Sequence, residues 1–393
     1  MNNVLDVIKA SLWGAKEPLI IGNAVFEEMK HQAIIALPAG ILSSISLSDE
    51  LREKWKYEIM RQIAFCAHYK HEQSILPISV PYVILKGTSA AQYYPRPELR
   101  TMGDIDIITK REDYKIACDM LIQNGFAEIT GRATADFGRH RVFRKNGIDV
   151  EVHAFFALLN DYRKARCMDE LIIQNIPTDT HVLPDHINGL VILEHINQHL
   201  EDGIGLRQIV DWMMFVDKCL QNEKWSEFQV YLKMVGLEKL AITATRMCEL
   251  YLGLPHHEWC QSANTSLCDE LMQYVLLNGN FGNKRIGDSN DSTNAFAYAK
   301  NALLAFRLLQ ERGVENWKIA KRHKFFRCFA WVYQAGRYLI KGFARDNAFP
   351  KIVSEYKAAK QRNDMLEALE VKQISKGVVI YDNGEYKLSN KRP

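Results

Sequence analysis

At 393 residues the chain is long enough for two or three domains with a sizeable core, and its 47% hydrophobic and 25% charged content is that of an ordinary globular protein. A formal net charge of +3 is too mild for a dedicated nucleic-acid binder. The eight cysteines (Cys66, Cys118, Cys167, Cys219, Cys248, Cys260, Cys268 and Cys328) form no Cys-x-x-Cys, which argues against a zinc site and a disulfide framework and for reduced thiols.

Residues 1–76 read as an N-terminal helical segment. No basic stretch followed by an apolar one opens the chain. The most apolar run, residues 33–47, is interrupted by Pro38 and Gly40 and falls short of the ~20 residues a membrane helix needs. A cytoplasmic protein without a transmembrane segment is the expectation. Ser46 with Asp49 resembles a capping box, after which Leu51, Trp55, Ile59, Ile63 and Cys66 recur at helical spacing. Trp55 belongs to that stripe and is expected in the core.

Residues 77–158 carry the chemistry. Val83 to Leu85 is a short apolar run between Pro81 and Gly87, as suits a buried strand, and a helix is expected from Thr88. A glycine at such a strand-to-helix turn lets backbone approach a ligand, and the N–H groups of a helix start attract phosphate. Lys86 and the hydroxyls of Thr88 and Ser89 add donors; the plainer reading of Gly87 is a turn residue. In Asp104-Ile105-Asp106-Ile107 the period of two puts both aspartates on one strand face, their Cα atoms about 6–7 Å apart. Two carboxylates so close resist desolvation unless a divalent cation sits between them; the alternative is an edge strand with a solvated acidic face. Residues 111–124 pattern as a helix with Ile116, Ala117, Met120 and Leu121 on one side, closed by Gly125. Asn146-Gly147 then marks a hairpin, after which Ile148, Val150 and Val152 share one face and Asp149, Glu151 and His153 the other. An acidic residue is thus available from a neighbouring strand to complete a metal cage. His140, on the first hairpin strand, either faces the site or is structural.

Residues 159–365 read as a large helical domain, with Asp185 after Pro184 as an N-cap. His195 and His199 lie four apart, but the Glu of a His-Glu-x-x-His zinc motif is replaced by Ile196. Arg207 and Asp211, also four apart, suit a helix salt bridge. Residues 317–343 mix bases with aromatics, which fits an anionic membrane or nucleic acid; a helix with a buried aromatic face is preferred. Residues 366–393 form a tail with Asn383-Gly384 between strand-like runs, a terminal hairpin.

The sequence of strand, Gly-hydroxyl turn, helix, Asp-x-Asp strand and later acidic strand resembles the DNA polymerase β-like nucleotidyltransferase superfamily. The closer likeness is to its bacterial branch known as the uncharacterised nucleotidyltransferase family. Lys86-Gly87, Tyr94-Pro95, Arg100, Asp104-x-Asp106 and Glu151-x-His153 carry it, with a weaker continuation through Leu206-Arg207 and Asp211-Trp212. The resemblance implies an α/β (α+β) core with a small mixed sheet between the two helical regions. It implies that Asp104 and Asp106 bridge two Mg²⁺ ions, with Glu151 holding the one that lowers the acceptor hydroxyl's pKa. Gly87, Thr88 and Ser89 would cradle the outer phosphates of an NTP, and Lys86 or Arg100 would supply positive charge. A nucleoside monophosphate would pass to a hydroxyl on a sugar, small metabolite, protein or RNA, releasing pyrophosphate. His140, His153 and Arg207 are possible accessory residues. Two other readings stand beside this one: a nucleotide-binding protein without turnover, and an assembly protein docking residues 317–343 on a membrane or nucleic acid.

Overall fold

A computed structural model describes residues 3–15, 17–129, 139–159, 161–200, 203–279, 310, 313–314, 316–343, 360–371, 379–382 and 385–388. The chain divides into two compact units, Met1–Asn283 with Ala368–Pro393, and Lys284–Glu367.

In the first unit, helix α1 (Val4–Trp13) starts on an Asn3–Asp6 capping box, followed by α2 (Asn23–His31) and the long α3 (Asp49–Ser74). Helix α3 is capped by Ser48, whose hydroxyl accepts the Leu51 N–H, and not by the expected Ser46. The backbone of Ser46 is held in an extended bridge to Ile20, with its N–H on the Leu19 carbonyl, so the helix cannot begin there. The stripe runs as read: Leu51, Trp55, Ile59, Cys66 and Tyr69 are buried, and the Trp55 indole donates to the Ile35 carbonyl at 2.8 Å.

Five strands form one mixed sheet: β1 (Tyr82–Ile84), β2 (Ile105–Thr109), β3 (Ala127–Glu128), β4 (His140–Lys145) and β5 (Ile148–His153), in spatial order β1-β2-β5-β4-β3. Strand β2 runs parallel to β5 and antiparallel to β1. The β4–β5 hairpin turns through Asn146 (φ 51°) and Gly147 (φ 80°), the left-handed pair a two-residue turn requires. Between β1 and β2 lies the four-residue α4 (Thr88–Ala91), and between β2 and β3 lies α5 (Tyr114–Gln123). Ile105, Ile107, Ile148, Val150 and Val152 point to one side of the sheet, where Ala117, Cys118 and Leu121 of α5 and Cys66 and Tyr69 of α3 complete the core. Ile116, expected on that side, is 47% exposed, because α5 turns Cys118 inward in its place. Although β1 is an edge strand, its outer side is covered: the Ile84 N–H donates to the His181 carbonyl, and the Tyr82 and His181 rings stack at 4.0 Å.

Helices α6 (Tyr162–Gln174), α7 (Asp185–His199), α8 (Leu206–Cys219), α9 (Asn222–Val235), α10 (Glu238–Leu252) and α11 (Thr265–Asn278) follow. Both α7 and α8 are buried over most of their length and pack on α4. Asp185 is the first helical residue rather than the cap, and its carboxylate accepts the Tyr93 hydroxyl. Segments expected as separate thus share one unit, since α3 supplies part of the sheet core and α7 and α8 pack on the turn after β1.

In the second unit, helices Lys318–Arg322 and Ala330–Phe343 flank a 3₁₀ turn, Lys324–Phe329. The preferred buried aromatic face is not what forms: Phe325, Phe326, Phe329 and Trp331 are exposed, while Ala320, Ala330 and Gln334 are buried. The terminal strands β6 (Val379–Asp382) and β7 (Glu385–Leu388), which belong to the first unit, pair antiparallel, with positions 383–384 of the expected hairpin outside the described residues. Among the described residues no helix is long and apolar enough to cross a membrane.

Candidate active site

Two carboxylates face each other across the parallel strands. Asp106 of β2 is in register with Glu151 of β5, and both leave the sheet on the side opposite the core. Two residues beyond Glu151, His153 returns to the same face. One ligand atom each from Asp106, Glu151 and His153 lies within 4.8 Å of the others, the one such His/Cys/Asp/Glu group among the described residues. Asp104 sits one residue before β2 with an exposed side chain, and the Tyr69 hydroxyl fixes its carbonyl at 3.1 Å. His140 stands opposite His153 on β4, its Nε2 3.7 Å from Glu151 Oε2.

Donors converge on a single oxygen of Asp106. Lys86 Nζ lies 2.8 Å and His153 Nε2 2.9 Å from Oδ1, whereas Oδ2 accepts no hydrogen bond from the described residues. The electrostatics follow from this crowding. Burial pushes Asp106 up, but the Lys86 ammonium and the His153 hydrogen bond outweigh it and hold the carboxyl well below its ordinary range. Asp104 is raised chiefly by the charge of Asp106. Glu151 is pushed up to about 8, by burial first and then by Asp106 and Asp104. Burial drives His153 down to about 3 despite its bond to Asp106, so the imidazole is neutral and its Nε2–H donates a hydrogen bond to the carboxylate. Its Nδ1 is buried without a partner. Lys86 stays charged because Asp106, Asp104 and Glu151 together overcome its desolvation.

The expected phosphate loop is only partly arranged for that task. Gly87 adopts φ 56°, and a Cβ there would collide with the Tyr69 hydroxyl, so glycine is required by both backbone and packing. The two hydroxyls turn inward, however. Thr88 Oγ1 donates to Gln73 Oε1 at 2.8 Å, and the buried Ser89 donates to Asn188 Oδ1 at 3.0 Å. With four residues, α4 also offers little of a helix dipole.

Arg100 is likewise committed elsewhere. Its guanidinium is buried and makes a bidentate pair with Asp211, Nε–Oδ1 and Nη2–Oδ2 both at 2.7 Å, while the Tyr94 hydroxyl donates to Oδ1 of the same carboxylate. This replaces the expected Arg207–Asp211 bridge: a planar fork takes both oxygens, and among the described residues Arg207, one turn earlier, bonds the Thr101 carbonyl at 3.3 Å. His195 and His199 face each other, Nε2 to Nε2 at 3.0 Å, with no third ligand among the described residues. Burial first, and then the charge of Lys86, push His195 far below the ordinary histidine range.

The sequence reading missed Tyr69 and Asn188, and the roles of Tyr94 and Asp211. Tyr69 was recoverable, since it extends the α3 stripe three residues past Cys66; the Asp211 pairing, 111 residues from Arg100, carried no local signal.

Asp106 and Glu151, with the Lys86 ammonium beside them and Asp106 Oδ2 left unbonded, fit a hard divalent cation; Asp104, expected to share the metal, is exposed and lies outside the group that the fold brings together. The cluster lies beside the strand–glycine–helix turn of a mixed sheet. The family model for uncharacterised nucleotidyltransferases matches residues 46–253, more than half of the chain, and the chain belongs to that family. The match runs from the residues before α3 to the end of α10 and takes in both the acidic cluster and Arg207. No curated protein and no solved structure matches the chain.

Proposed function

We propose that the protein is a divalent-metal-dependent nucleotidyltransferase of the DNA polymerase β-like kind, which transfers a nucleoside monophosphate from an NTP to a hydroxyl acceptor and releases pyrophosphate. The observation that carries this reading is the in-register Asp106–Glu151 pair, with Asp104 at the strand mouth, in a chain of a nucleotidyltransferase family. Asp104, Asp106 Oδ2 and Glu151 would hold Mg²⁺, two ions being expected. When bound, the metal supplies charge neutralisation and a more acidic acceptor hydroxyl. Lys86 offsets one carboxylate charge and keeps Asp106 ionised, and His153 fixes the orientation of that carboxylate. Gly87 brings the backbone of the β1–α4 turn close to the cluster. Reaction by this route relies on positioning and electrostatics rather than on covalent catalysis by the protein.

The acceptor is a sugar, a small metabolite, a protein side chain or RNA. Incubating the protein with each α-labelled NTP, Mg²⁺ and cell extract identifies it through the component that becomes labelled. The Asp104→Ala/Asp106→Ala double variant should label nothing; labelling that persists in it overturns the reading.

One observation favours a second reading, a nucleotide-holding protein without turnover: the Thr88 and Ser89 hydroxyls are already bonded to Gln73 and Asn188. NTP binding in the presence of Mg²⁺ and extract with no pyrophosphate released would select it.

A further inference from the structure

Near the site, one guanidinium nitrogen and one hydroxyl are buried without a partner among the described residues. Arg207 lies on the first turn of α8, and the acid one turn away on its own helix, Asp211, is fully occupied by Arg100 and Tyr94. Its one hydrogen bond among the described residues runs from Nη1 to the Thr101 carbonyl, and its Nε is buried with no partner. Thr101 Oγ1, on the residue that receives that bond, is also buried with no partner. Leaving buried donors unbonded is costly, so two of them joined through one carbonyl form an arrangement that awaits an acceptor. Arg207 feels the charge of Asp104 without lying within ion-pair distance of it among the described residues. Thr101, which receives the Arg207 bond, lies three residues before Asp104 on the segment that enters β2, so the pair stands on the stretch of chain that leads into the acidic cluster. Burial and the neighbouring Arg100 both disfavour the Arg207 charge, a conflict that an arriving anion relieves.

We infer that Arg207 and Thr101 form the subsite for a phosphate oxygen of the NTP, with Arg207 Nε and Thr101 Oγ1 as donors, in place of the Arg100 and Ser89 groups that the fold uses internally. This rests on the nucleotidyltransferase reading. An anionic oxygen suits the pair because a guanidinium and a hydroxyl both donate, and a triphosphate drawn to the metal-holding carboxylates places its oxygens beside Asp104.

The test is a calorimetric titration of the full-length protein with ATP, GTP, CTP and UTP in turn, and with inorganic triphosphate, all with Mg²⁺. It compares the native protein with Arg207→Gln, Arg207→Lys and Thr101→Val. For whichever NTP binds, and for triphosphate, Arg207→Gln should weaken affinity about 10-fold or more, and Arg207→Lys should restore part of it. Thr101→Val should weaken it several-fold with no drop in the unfolding midpoint, since its hydroxyl has no internal bond to lose. Unchanged affinity in Thr101→Val and in a folded Arg207→Gln overturns the subsite while leaving the nucleotide reading in place. A native protein that binds none of the four NTPs and no triphosphate sinks that reading and the subsite with it.

Discussion

Lys86 and His153 spend their protons on the same oxygen of Asp106, and this choice leaves the other oxygen open. Removing the imidazole should loosen the carboxylate without deleting a metal ligand, so His153→Ala is expected to weaken divalent-ion affinity about 10–100-fold, as measured by Mn²⁺ titration. The raised Glu151 gives the pH dependence its sign. A proton competes with the metal for a carboxyl titrating near 8, so affinity should climb as pH rises from 6 towards 8 and level off above it. The same shift works the other way on the metal-free protein. A carboxyl raised in the folded state favours folding at low pH, a contribution lost as pH rises through about 8, so the stabilisation conferred by Mg²⁺ should widen over the same interval. Gly87→Ala combines a disfavoured φ with the Tyr69 collision and should cost at least about 1–2 kcal/mol in urea unfolding. The need for glycine at 87 was legible in the sequence as a turn at a strand end. The Tyr69 hydroxyl that enforces it was not, because the close approach belongs to packing between α3 and the turn.

Alternation along a strand gave the acidic face correctly, since one-residue slippage would bury Asp106 and Glu151 in the core and expose Ile107 and Val152. The Asn146-Gly147 hairpin was readable for the same local reason. What local pattern could not supply was competition between distant groups. Arg100 and Arg207 both lie within reach of Asp211, and only the tertiary fold decides that Arg100 takes it. Thr88 and Ser89 carry the residue types of a phosphate loop, yet Gln73 of α3 and Asn188 of α7 capture their hydroxyls. Because the Arg100–Asp211 pair ties the loop before β2 to α8 in a buried setting, Asp211→Ala should destabilise the fold by about 3–5 kcal/mol, read as a shift in the denaturation midpoint. The loss is expected even without nucleotide, which separates this structural role from that of Arg207.

At the scale of the molecule, composition indicated a globular protein, and the strand–helix alternation located the sheet. The packing together of α3, the sheet, α7 and α8 came only from the structure, since long helices with mixed faces can cover a neighbour or stand apart. The family match, residues 46–253, spans both the acidic cluster and Arg207. The exposed aromatics at Phe325, Phe326, Phe329 and Trp331 lie outside that stretch, in the second unit. The reading depends most on the carboxylates acting as a metal-dependent nucleotide site. Equilibrium binding of NTP in the presence and absence of Mg²⁺ tests it most directly, on the native protein and on Asp104→Ala/Asp106→Ala with its circular dichroism unchanged. Binding that requires Mg²⁺ and vanishes in the double variant is the predicted result; binding that is indifferent to the metal, or that survives the loss of both aspartates, would contradict it.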